Sequence, residues 1–363
     1  MLRTRAWVRR LAPLALPALW GGVAALWKLT CPLAHQEGTA TRIATSAVFF
    51  TVGTGLVLGI RRGLARELKQ VRAVAQAAQQ VLLRPLPPRL DGLSVAAAQL
   101  SVARGAAVGG DLYEAVATPH GVRIVIGDVR GHGLAALGAV AAVLGSFREA
   151  AHDEPELGGV LRRLDRALGR HLRERAREEH PAVGGWDPDS PVAEEFVTVL
   201  LLEIRRDGAV LALNCGHPWP YQLGSRTEQV VAGETLPPLG AFPLPDELPV
   251  HRCVTLPPGE ALFLHTDGAE DARDASGRFF RLRDVLDQAL REAPVPPAAL
   301  IHRVHAALLR HTGGRLTDDV ALMVVRNDRR DDRRHDCRHD RSRVPAQSAD
   351  PGPRRTRPAP SNR

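Results

Sequence analysis

The chain has no C-x-x-C pair, and its four cysteines, Cys31, Cys215, Cys253 and Cys337, stand far apart. That spacing excludes the usual zinc sites and offers no disulfide framework, so a reducing compartment is expected for the main body. Lysine is nearly missing, present only at Lys28 and Lys69, and arginine carries the positive charge. There is no internal repeat. Apolar residues all but vanish after Arg326, where the chain reads "NDRRDDRRHDCRHDRSRV". Such a segment cannot offset the entropy cost of ordering, so 327–363 is expected to be a disordered tail.

What is present is the composition of a globular protein. Hydrophobic residues make up 44% and charged residues 24% of the 363 positions, so a buried core is expected. The net charge of +8 is unevenly placed. Residues 1–84 carry 12 basic and 2 acidic side chains, whereas 85–325 carry 24 basic and 32 acidic. A basic total would suggest nucleic acid. Here the body is acidic and the alternating Arg and Asp of the tail partly cancel, so no nucleic-acid partner is expected.

Two uncharged apolar stretches lie near the start, Leu11 to Trp27 and Ile43 to Ile60. Each approaches the roughly 20 residues that cross a bilayer. A cleaved signal peptide and a buried core helix are the other readings, but two stretches in close succession favour a transmembrane helical hairpin within 1–62. Arginines precede the first and follow the second, so both ends face the cytoplasm by the positive-inside rule. From Leu64, small or apolar residues recur at Leu68, Val71, Ala75, Ala78 and Leu82. This seam in a helical linker, 63–89, suits either a homodimer through 64–82 or docking on the chain's own domain. The prolines of "RPLPPRL" then end the helix.

From 90 to 326 strand-like and helix-like runs are mixed. "LSVAAAQL", "VRIVIGDV", "FVTVLLLEI", "AVLALN", "ALFLHT" and "VALMVV" read as strands; Leu134 to Ala150, Leu157 to Arg177, Leu282 to Arg291 and Ala298 to Arg310 read as helices. Strands cluster rather than alternate with helices, which argues for an α+β fold and against a doubly wound sheet. Glu178 to Pro191 reads as a loop.

Four aspartates fall at strand ends or starts: Asp111 after two glycines, Asp128 in "VIGDVRGHG", Asp267 in "HTDG", and Asp318, followed by Asp319, in "LTDDVALMVV". Taken singly, each could be a turn or capping residue. Together they suit hard divalent cations, which prefer carboxylate oxygens. A pair of such ions can share carboxylates and stabilise displacement at phosphorus, and they neutralise acids that would otherwise repel.

In order, "AVGGDLYE", "VIGDVRGHGLAA", "FVTVLLLEI", "LNCGHPWPYQL", "LPPLGAF", "LPPGEALFLHTDGAEDARDASGRFF" and "LTDDVALMVVR" resemble the motifs of metal-dependent serine/threonine protein phosphatases (PPM, type 2C), in the bacterial branch typified by SpoIIE and RsbU. The resemblance spans roughly Gln80 to Arg326. It implies a four-layer α-β-β-α sandwich of two antiparallel sheets and a centre of two Mn²⁺ or Mg²⁺ ions. It implies that Asp111, Asp128, Asp267 and Asp318 are ligands, with Asp128 bridging the metals beside the activated water and Val129 lending its backbone carbonyl. Asp319, Arg130 and His132 stand behind these as residues for outer support or phosphate contact, and His217 is expected to be structural. By the same resemblance the substrate is a phosphorylated cytoplasmic signalling protein such as an anti-sigma-factor antagonist. A phosphatase fold that only binds a partner is the alternative. Arg130, Glu114, His265 and Phe280 depart from the pattern, which leaves substrate preference and rate open.

Overall fold

The computed structural model describes Trp20 and residues 39–100, 109–131, 134–179, 195–291 and 295–329. A 44-residue helix, α1 (Thr39–Leu82), comes first. The expected span up to 62 and the expected linker from 63 are one uninterrupted helix, because no proline interrupts the backbone ladder between Thr39 and Leu82. Within it Ala47–Glu67 is long and apolar enough to cross a membrane, and none of that window is buried. Ile43, Val48 and Phe50 are each more than 60% exposed, apolar surface that water does not favour. The first apolar stretch lies outside the described residues except for Trp20, whose ring centroid is 5.4 Å from that of Phe49.

Eleven strands build two antiparallel sheets. The first runs β1 (Arg89–Leu90), β2 (Leu93–Leu100), β11 (Val320–Asn327), β10 (Ala261–His265), β7 (Tyr221–Leu223), β8 (Thr227–Gln229). The second runs β3 (Asp111–Thr118), β4 (Gly121–Val129), β5 (Val197–Ile204), β6 (Ala209–Cys215), β9 (His251–Thr255). Helices α2 (Leu134–Asp153) and α3 (Leu157–Glu179) cover the second sheet, while α5 (Leu282–Arg291) and α6 (Pro297–His311) cover the first. A single helical turn, α4 (Gly268–Asp271), follows β10.

This is the expected four-layer α-β-β-α sandwich, and strand alternation explains it. Ile124 and Ile126 of β4 point into the core between the sheets, with Leu264 and Met323 of the other sheet. Val125 and Val129 point the other way, against Phe147 of α2 and Leu164 of α3. Both faces of each central strand are buried, so these strands read as continuous apolar runs rather than alternating ones.

The helix runs read from the sequence are all present: Leu134–Asp153 and Leu157–Glu179 run on beyond the expected C-terminal ends at Ala150 and Arg177, and Pro297–His311 starts before Ala298 and ends after Arg310. β11 continues through Asn327, and Arg329 reaches back to the Asp91 carbonyl at 2.8 Å, so the folded domain ends slightly beyond 326. The tail from 330 and the loop over 180–194 lie outside the described residues, and Glu178 and Glu179 complete α3. The C-terminal end of α1 docks on the domain: Gln79 and Leu83 are buried, and Leu82 packs on the α2–α3 core.

Candidate metal centre

Asp111 is the first residue of β3, and Asp128 is the last but one of β4. The pairing register sets them directly opposite each other. Asp111 is 1% exposed, and its Oδ2 has no hydrogen-bond partner. A buried, unpartnered carboxylate oxygen is costly unless something positive meets it.

The other acids arrive from the opposite sheet. Asp267 caps the start of α4, where its carbonyl accepts from the Glu270 and Asp271 amides at 2.9 Å each. Asp318 and Asp319 lead into β11. Thr266 links these pieces: its hydroxyl oxygen accepts from the Ala321 amide at 2.9 Å, and it lies near enough to the Asp111 carboxylate to offset part of that group's raised pKa.

The acids act on one another electrostatically. Burial raises the Asp111 pKa well above the usual carboxylate range, and Asp128, Asp319 and Asp318 push it further. Asp128 is raised to about 7, again by burial first and then by Asp267, Asp318 and Asp319. Asp267 is raised by burial, Asp318 and Asp271. Asp111, Asp128, Asp267, Asp318 and Asp319 are thus within electrostatic reach of neighbouring acids, and after burial carboxylates are the charged groups that raise each of these pKa values.

Glycine clears the space between them. A Cβ at Gly110 would lie 2.8 Å from Asp128 Oδ1 and still nearer the Val129 carbonyl oxygen, and one at Gly109 would overlap the Asp319 carboxylate. The donor set is all oxygen, as hard cations require. Yet among the described residues no three His, Cys, Asp or Glu side chains are drawn together closely enough to hold an ion as they stand. One cause is visible at Asp318, whose Oδ1 accepts instead from the Asp319 amide at 2.8 Å. The residues fit divalent ions in the chemistry of their oxygen donors, while their carboxylates are not gathered around one point as they stand.

The remaining sequence candidates divide. Arg130 is exposed beside the site, its guanidinium carbon 5.2 Å from the centroid of the Phe196 ring. His132 lies outside the described residues. His217 is structural, as expected: Nε2–H donates to the His265 carbonyl at 3.1 Å, which leaves Nδ1 to accept from the Thr198 hydroxyl at 3.1 Å. Burial holds its pKa down to about 3, so it is neutral. Glu114 pairs with Arg148 at 2.7 Å, and Arg148 also donates to the Leu82 carbonyl at 2.6 Å.

Two contributors escaped sequence reasoning. Thr266 adjoins the "TDG" aspartate and was within reach of a motif reading. Gln79 of α1, whose amide lies 3.4 Å from the Gly109 carbonyl, had no sequence signal.

The family model described as stage II sporulation protein E (SpoIIE) matches residues 118–328. Among solved structures, the SiaA-PP2C domain of Pseudomonas aeruginosa aligns at 17% identity and a TM-score of 0.50, covering 74% of this chain and 98% of that one. The RsbU and RsbW domains of Rv1364c from Mycobacterium tuberculosis align at 24% identity and a TM-score of 0.49, over 66% of this chain. The matched region spans 61% of that structure's own length. The chain belongs to the SpoIIE family, and its described domain shares the fold of the SiaA-PP2C domain.

Proposed function

We propose that the protein is a membrane-tethered serine/threonine phosphatase acting on a phosphorylated cytoplasmic protein. Asp111, Asp128, Asp267 and Asp318, with the Val129 carbonyl as a further oxygen donor, would hold two Mn²⁺ or Mg²⁺ ions. Bound there, the ions would supply Lewis acidity and a water acidic enough to attack phosphorus at neutral pH. The chain's own part is to hold the donors in place. Thr266 anchors the start of β11 beside the site through the Ala321 amide, β3–β4 pairing sets Asp111 against Asp128, and Gly109 and Gly110 keep the approach open. Arg130, on the exposed side, is positioned for the phosphate or for residues flanking it. Within the family reading, an anti-sigma-factor antagonist is the class of substrate we favour.

The observation that carries this reading is the buried, unpartnered Oδ2 of Asp111 in a cluster of acids. Tethering rests on the exposed apolar window Ala47–Glu67 and on Trp20 packed against Phe49. At 1.5 Å per residue that window is about 32 Å long, which matches a bilayer core.

The competing reading is a phosphatase fold that only binds a partner. Its support is that the carboxylates are not already gathered around one point. Full-length protein in detergent, assayed with Mn²⁺ on phosphoserine protein and aryl phosphate, separates the two. Release of phosphate that is lost in Asp128→Ala supports the enzyme. No release by folded parent protein supports the binding module.

A further inference from the structure

A cleft of about 1120 Å³ opens between α5, α6 and the turn that precedes α5. Its floor is apolar, made by Phe280, Val285, Ala289 and Ala307, and its rim carries Arg278, Arg281, Arg303 and Arg310. Asp284 is the one acid among the described lining residues. This basic rim stands on a body, 85–325, in which acids outnumber bases by 32 to 24. The carboxylate cluster contributes nothing to the lining.

Phe279 stands on the rim, 51% exposed, where a large apolar ring would ordinarily be buried. It is held there. Arg273 lies over its ring at 4.1 Å, and Arg273 and Phe279 form an isolated bridge. The intervening turn is fixed by Asp274 Oδ1, which accepts from the amides of Ser276 at 2.8 Å and Arg278 at 3.0 Å. Presenting the ring on an ordered turn lowers the entropy cost of binding against it. Arg281 pairs with Asp284 at 3.7 Å with both side chains largely exposed, 86% and 65%, and such a pair contributes little and exchanges readily for another carboxylate. Arg278 pairs at 2.8 Å with Asp274, which is 13% exposed, and that pair belongs to the turn.

We infer that this cleft is a docking site for an acidic segment of a partner protein that presents an apolar face. Its volume far exceeds one phosphate, and an apolar floor inside an arginine rim suits a segment with aliphatic side chains on one face and carboxylates on the other. The chain's own Arg-rich sequence beyond 329 has the wrong sign to fill it. The site is independent of phosphatase chemistry.

The probe is a synthetic helical peptide with leucines on one face and glutamates on the other, titrated by fluorescence anisotropy into full-length protein in detergent. Micromolar binding is expected, weakened about tenfold or more by Arg281→Glu with Arg310→Glu and severalfold by Phe279→Ser alone. Both variants alter exposed residues, and retention of the parent melting temperature certifies their fold. A peptide with serine for leucine should bind poorly. Equal binding by the serine peptide, or full competition by tripolyphosphate, would reduce the cleft to a bare anion site and overturn the inference. So would binding unaffected by either variant, or no binding at about 100 µM. Self-association of the full chain that Phe279→Ser abolishes, without peptide binding, would assign the cleft to a second copy instead.

Discussion

Asp111 and Asp128 face each other as directly opposed residues of β3 and β4, and burial raises the pKa of both. Asp128 moves from 3.8 to about 7, so in metal-free protein the folded state holds a proton that the unfolded state has released. Stability from this group is full below the unfolded value and is lost as pH rises through about 7. Metal-free protein should therefore be weaker towards urea at pH 8 than at pH 5.5, by on the order of a few kcal/mol. Asp128→Asn should flatten that slope and abolish Mn²⁺-dependent phosphate release. Mn²⁺ should restore the parent's stability at pH 8 and leave Asp128→Asn nearly unmoved. A parent slope equal to that of the variant would remove Asp128 as its source.

His217 works in the opposite direction. Its folded pKa is held near 3 by burial, whereas an unfolded histidine titrates near 6.5. Between those values the unfolded state binds the extra proton, so the contribution is full above the unfolded pKa and falls away as pH drops towards 3. His217→Gln should cost about 1–3 kcal/mol near neutral pH through lost hydrogen bonds. It should also lose less stability than the parent between pH 6.5 and 4. Urea titrations of both proteins across that range test it; parallel acid limbs would show that His217 is not the group responsible.

Gly268 sits where backbone meets backbone. A Cβ there would overlap the Asp319 carbonyl oxygen, an atom with no flexible side chain to yield. Gly268→Ala should displace the start of α4 from Asp318 and Asp319, destabilise the domain by about 1–3 kcal/mol, and lower kcat/KM on phosphoprotein by about tenfold or more. A melting temperature and rate equal to the parent's would show that the two loops part without cost.

How far this was legible in the sequence follows from the physics of each part. Both sheets are legible because β4, β5 and β11 are buried on two faces and so are apolar over most of their length. Short or half-exposed β7, β8 and β9 gave no comparable run, since they lie on sheet edges or carry few residues. The acids were visible as motifs, but their meeting depends on register, which sets Asp111 opposite Asp128 only after β3 and β4 pair. The length of α1 was hidden because a change from apolar to charged side chains looks like a boundary, while backbone hydrogen bonding continues through it.

Arg123 is the largest fully buried side chain, and it has a partner for every face of its guanidinium. Nε and Nη2 donate to Glu203 Oε2 at 3.0 and 2.8 Å. Nη1 donates to the carbonyls of Ala151 and Glu154 at 2.9 and 2.5 Å, and Nη2 to that of Pro155 at 2.9 Å. Those carbonyls lie at the end of α2 and in the turn to α3, where a helix terminus leaves acceptors unpaired. The arginine thus fastens the outer helices to the sheet while Glu203, opposite it on β5, neutralises its charge. Breaking one side leaves a buried charge or orphaned carbonyls, so Arg123→Met and Glu203→Gln should each cost about 3–5 kcal/mol. Replacing both together should cost less than the sum of the single changes. Urea denaturation of the four proteins of this cycle measures the coupling, and additive losses would show that the pair contributes nothing beyond its separate contacts.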